Sequence, residues 1–168
     1  MPTIRMATDL QRVVGSMPET TIASISAEDG AALRAQVLRP DGQKVASGAA
    51  QYEDTDAIHL GAYRDGVLTA VVSFTPYNED GIKASNIYQL RGAATLAEVR
   101  GRGVGTALIS AGIEKCRQRN VARIWCNGRS AARSFYERLG FRPIGEEFVT
   151  TTGPHYRFAL DLSGRTTR

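Results

Sequence analysis

Two cysteines, two histidines and one tryptophan are all that the 168-residue chain holds of these types. Cys116 and Cys126 are too few for a disulfide framework and stand in no CxxC pair, so both read as free, buried thiols. With His59 and His155 alone, and no cluster of His, Cys or acidic residues at ligand spacing, no metal is expected. No apolar run approaches the ~20 residues of a membrane span, and the first residues lack the compact apolar core of a secretory signal. A soluble, cytoplasmic protein with no membrane partner is therefore expected. Runs of five or more basic residues are also missing: the net charge of +4 rests on scattered arginines, which excludes a nucleic-acid stripe. A few arginines converging on one cleft still suit a small acidic ligand or a phosphorylated cofactor.

What is present, 42% apolar and 23% charged residues, is the composition of a folded globular chain. The length suits one domain, expected over residues 19–163, behind an N-terminal extension of uncertain role at 1–18 and ahead of a tail at 164–168. "TTIASIS" alternates as a strand, and Ser26 with Glu28 opens a helix that runs to about Leu38. Residues 41–54 are small and polar and read as a loop able to cover a site. "AIHLGAYRDGVLTAVVSF" forms two strands about Asp65-Gly66, and "YQLRGAATLAEV" a further strand. Leu108, Ile109, Ile113 and Cys116 recur at helical spacing, "VARIWCN" is a buried-type strand, and "SAARSFYERLG" is a capped helix closed by Gly140. "RPIGEEFVT" and "HYRFALDL" end the chain as strands. The order predicts an α/β mixed sheet flanked by helices, with the strands near 88 and 121 parallel and adjacent.

Between the first of those strands and the helix stands Arg100–Gly105, "RGRGVG". A bend at the carboxyl end of a parallel strand and the amino end of a helix offers unpaired backbone N–H groups and the positive end of the helix dipole, which suits phosphate. The spacing is neither GxxxxGK[ST] nor GxGxxG. It is R-x-x-G-x-G, and with "FYERLGF" at 135–141 it resembles the GNAT acetyltransferase superfamily, where this turn holds the pyrophosphate of acetyl-CoA. The resemblance implies the acyl-CoA N-acyltransferase fold, and a cofactor held by Leu96, Arg100, Gly101, Arg102, Gly103, Val104, Gly105 and Thr106.

"LRP" (38–40), "HLGAYRDG" (59–66), "YQLRGAATL" (88–96), "WCNGR" (125–129) and "GPH" (153–155) further resemble the glyphosate N-acetyltransferase group, over roughly residues 22–162. That resemblance implies an acetyl-CoA-dependent enzyme acting on the amine of a small anionic compound bearing phosphonate, phosphate or carboxylate, as a monomer or homodimer. It places the anion on Arg39, Arg91, Arg129 and His155, makes His155 the base, and makes Tyr136 the acid to the departing thiolate. Guanidinium groups do match such oxygens in pairs, and a charge at Arg91 within an apolar strand needs a partner. Taken singly, each arginine reads as well as a solvated surface residue, Tyr136 as packing beside Phe135, and His155 as a strand residue satisfied by a backbone carbonyl. Gly128 stands where the group usually has alanine, a change expected to loosen the backbone beside Arg129. Acetylation of another amine, an amino acid or a protein N-terminus, remains an alternative. So does a CoA-binding regulatory module without chemistry.

Overall fold

The computed structural model describes residues 11–12, 20–38 and 49–164. They form two compact units, one reaching to Phe74 and including Gly92–Gly112, the other made of Thr75–Arg91 and the chain from Ile113 onward.

The first unit is an antiparallel meander. Strands β1 (Gln11–Arg12), β2 (Thr20–Ser24), β3 (Ile58–Arg64) and β4 (Val67–Thr75) lie side by side in chain order. Asp65 and Gly66, with φ of 53° and 81°, make the tight hairpin turn expected of an Asp-Gly pair. Leu60, Ala62, Ala70, Val71, Val72 and Phe74 are all at most 1% exposed and form its core. Helix α1 (Ala31–Leu38) follows a turn in which Ser26 and Asp29 exchange side chain to backbone hydrogen bonds. The partner of Ser26 is thus Asp29 rather than Glu28, because the reciprocal bond closes at a spacing of three.

A polar network is buried in this unit. Arg34 donates to Ser73 Oγ at 3.1 Å and to the Gly92 carbonyl at 3.2 Å, and its guanidinium lies 4.5 Å from the centre of the Tyr52 ring. His59 Nε2 donates to the Tyr52 carbonyl at 3.0 Å, leaving Nδ1 to accept from Ser73 at 2.7 Å. Burial pulls the His59 pKa down, and the nearby Arg34 adds to the effect.

Strand β5 (Ile87–Thr95) stops four residues short of the expected end. Leu96 N–H turns to the Thr69 carbonyl, and Ala97–Val99 coil into a single 3-10 turn, so the apparent alternation of "LAEV" belongs to a turn. Helix α2 (Val104–Gln118) buries Leu108, Ile109, Ile113 and Cys116 as its spacing predicts.

In the second unit β5 pairs in parallel with β6 (Arg123–Arg129) through Ile87, Tyr88 and Gln89 against Arg123, Ile124 and Trp125. Next come β8 (Gly153–Asp161) and then β7 (Arg142–Thr150), both antiparallel and in that spatial order. Between β6 and β7 a 3-10 turn, Ser130–Ala132, leads into the short helix α3 (Arg133–Arg138). Ser130 does not cap this helix; its hydroxyl donates to Glu147 at 2.6 Å instead.

Candidate active site

The turn after β5 has the backbone its glycines permit. Gly101 and Gly103 take φ of 76° and 84°, a region that suits residues without a Cβ, and nothing lies within 4 Å of where a Cβ would point at either. The Ala107 N–H closes the first helical bond on the Gly103 carbonyl, so the N–H groups of Val104, Gly105 and Thr106 precede the intrahelical ladder. Gly105 is already helical, without positive φ, so its lack of a side chain matters for close approach rather than for the bend. Arg100 is tied to the Thr95 carbonyl at 3.1 Å, while Arg102 is exposed. Leu96 packs against the cluster of Leu33, Val71 and Ala94. An open, glycine-lined helix start with three such amides fits a pyrophosphate.

In the second unit, strand register brings three of the predicted residues to one face. Arg129 on β6 is directly opposite His155 on β8, and Asn127 is opposite Arg157. Such cross-strand neighbours project on the same side with Cβ atoms ~5 Å apart. Gln89 shares that side with Trp125, and alternation along β5 adds Arg91. Arg129 is exposed and has no carboxylate partner among the described residues; Arg91 is half-buried. Arg157, which sequence reasoning did not single out, stacks 4.8 Å over Trp125 and donates to Asn127 Oδ1 at 3.4 Å. Arg123, on the same face, pairs with Glu79 and holds that carboxyl below its usual range, with a smaller contribution from Arg157. Arg39 lies outside the described residues.

His155 is half-buried, its ring stacked on Phe148 at 5.9 Å and its Nδ1 2.9 Å from the Gly153 carbonyl. The carbonyl partner expected of an ordinary strand histidine is therefore present, and it engages only one of the two ring nitrogens.

Tyr136 is placed on the opposite side of β6 and β8. Its ring stacks on Phe158 at 4.8 Å and meets Phe141 and Phe135 edge-on. Burial pushes the Tyr136 pKa well up, with Cys126 adding to it, and pushes the Cys126 thiol up to about 12. A buried thiol with so high a pKa is packing, not a nucleophile. Gly128 does not loosen the backbone here: a Cβ on it would stand 2.5 Å from the Tyr136 ring, so the glycine makes room for that ring.

A βαβ unit with a glycine turn at its helix start, set in a mixed sheet flanked by helices, defines an acyl-CoA N-acyltransferase fold. The Acetyltransferase (GNAT) family model matches residues 29–141. The chain is also 33% identical over 130 residues to the uncharacterized N-acetyltransferase YitI of Bacillus subtilis (strain 168), covering 76% of this chain and 85% of that protein. It therefore belongs to the GNAT acetyltransferase family. Among solved structures, the ribosomal-protein-S18-alanine N-acetyltransferase from Escherichia coli superposes with a TM-score of 0.69 at 22% identity, over 88% of this chain and 96% of that one. An aminoglycoside 6'-N-acetyltransferase complexed with coenzyme A gives 0.67 at 14% identity, over 87% and 99%. The protein is thus an N-acetyltransferase of a family whose acyl donor is acetyl-CoA. No helix among the described residues is long and apolar enough to cross a membrane.

Proposed function

We propose that the enzyme acetylates the amine of a small anionic amino compound bearing phosphonate, phosphate or carboxylate, in the manner of the glyphosate N-acetyltransferase group. The observation that carries this is the pairing of exposed Arg129 with His155 on the face that also bears Arg91. Arg39 joins them in the proposal on the strength of the resemblance alone. An exposed guanidinium such as that of Arg129 attracts an acidic substrate, and an imidazole beside it is placed to take a proton from its amine.

Acetyl-CoA supplies the activated acetyl group as a thioester. The amides from Arg102 to Thr106 would hold its pyrophosphate, with Leu96 and Arg100 as their support. His155 removes a proton from the amine so that the nitrogen lone pair can attack. Tyr136, kept protonated by its raised pKa, donates to the leaving thiolate. No acyl-enzyme is required, in keeping with the inert Cys126 thiol.

Two substitutions test the binding assignments. A charge-assisted hydrogen bond contributes about 1.5–3 kcal/mol, so Arg129→Gln should raise KM for an acidic amine by roughly ten- to hundredfold and leave that for acetyl-CoA nearly unchanged. If wild type used an uncharged amine equally well, and Arg129→Gln changed nothing, the anion site would be lost. Gly103→Val places a β-branched residue at φ of 84°. It should raise KM for acetyl-CoA about tenfold or more before that of the amine. Calorimetry showing unaltered CoA binding to folded Gly103→Val would remove the pyrophosphate from this turn.

A further inference from the structure

The turn joining β7 to β8 carries a set of contacts that the roles above leave unused. His155 Nδ1 is 2.9 Å from the Gly153 carbonyl oxygen and 3.3 Å from Thr150 Oγ1. A carbonyl oxygen only accepts, so this contact is a hydrogen bond when Nδ1 carries the proton, and two opposed lone pairs when it does not. Thr150 is able to donate to a bare Nδ1, which would favour the other tautomer. Its hydroxyl, however, is within 3.3 Å of the same Gly153 carbonyl, and its oxygen already accepts from Thr152 N–H at 3.1 Å. The closest contact of Nδ1 is thus the one that cannot supply a proton.

We propose that the turn from Thr150 to Gly153 is a positioning device for His155, whose Gly153 carbonyl selects the imidazole tautomer that leaves Nε2 unprotonated. This rests on His155 being the base. In the transfer the amine N–H bond breaks and an Nε2–H bond forms, while the Nδ1 proton stays in place. The resulting imidazolium then makes a charge-assisted bond to the Gly153 carbonyl before passing its new proton to water. Phe148, stacked on the ring with 28° between planes, holds the plane in which Nδ1 meets the Gly153 carbonyl.

Gly153 is specific to this task through its backbone. Its φ is 112°, and a Cβ there would meet nothing within 4 Å. Gly153→Ala therefore perturbs the carbonyl's direction without filling any space.

The test joins nitrogen-15 NMR of histidine-labelled protein, at a pH where the imidazole is neutral, with steady-state kinetics. Wild type is expected to carry the proton on Nδ1 of His155. Gly153→Ala should show a mixture of tautomers and a kcat lower by about tenfold, with KM for acetyl-CoA unchanged. Thr150→Val should lose about three- to tenfold through the weakened turn, and Thr150→Ser should restore it. A wild-type spectrum with the proton on Nε2 overturns the proposal by itself, even if the alanine variant fails to fold. So does a folded Gly153→Ala that keeps full turnover. The underlying assignment fails separately: a His155→Ala protein with full turnover removes the base, and this role with it, whichever tautomer wild type shows.

Discussion

His155→Ala is expected to lower turnover by ~100-fold or more while leaving acetyl-CoA binding intact. An aliphatic amine is mostly ammonium at neutral pH and cannot attack a thioester until a proton is removed, so the site needs a group able to accept one near working pH. A variant that kept its turnover would send the proton elsewhere, through water or through Glu146 or Glu147, and leave His155 as a holder of the anion.

Tyr136→Phe should produce a loss of similar size, ~100-fold or more in kcat, with little change in either binding constant. The substitution keeps the ring that stacks on Phe158 and fills the space above Gly128, and it removes only the hydroxyl. Folding should survive the change, since the aromatic packing of the ring is kept. Because burial raises the Tyr136 pKa, its proton remains in place throughout the range in which a histidine titrates. An alkaline loss of activity below the ordinary tyrosine range would thus have another origin. Near-normal turnover in Tyr136→Phe would return the residue to the packing role that its aromatic neighbours already describe.

The residues that local physics constrains were legible before any coordinates. Asp65-Gly66 can hardly be anything but a tight hairpin turn, and Leu108, Ile109, Ile113 and Cys116 mark the buried stripe of α2. The bend of the glycine turn and the helix start behind it also follow from sequence order, and the phosphate proposed for them rests on that geometry and on the resemblance. What sequence could not supply is register across strands. Arg129 and His155 meet because β8, not β7, lies next to β6, so the last strand of the chain inserts between two earlier ones. Alternation assigns a residue to one side of its own strand, but only that insertion brings these two sides together. The same dependence hid the position of Tyr136 across β6 from His155. The Thr150–Gly153 turn escaped notice because its role lies in a carbonyl's direction, which no side-chain pattern records. "LAEV" misled for the opposite reason: a short alternation fits a strand, while the single bond from Leu96 to Thr69 turns the chain away.

The central claim, acetyl transfer to a small acidic amine, is tested most directly by thiol release from acetyl-CoA with matched pairs of amines that differ only in an acid group. β-Alanine against its amide, and aminomethylphosphonate against methylamine, are suitable pairs. The account predicts that the acidic member of each pair drives thiol release at least tenfold faster in kcat/KM, from the ~1.5–3 kcal/mol of a charge-assisted hydrogen bond. Equal use of the neutral members, or CoA binding with no thiol released by any amine, would contradict it.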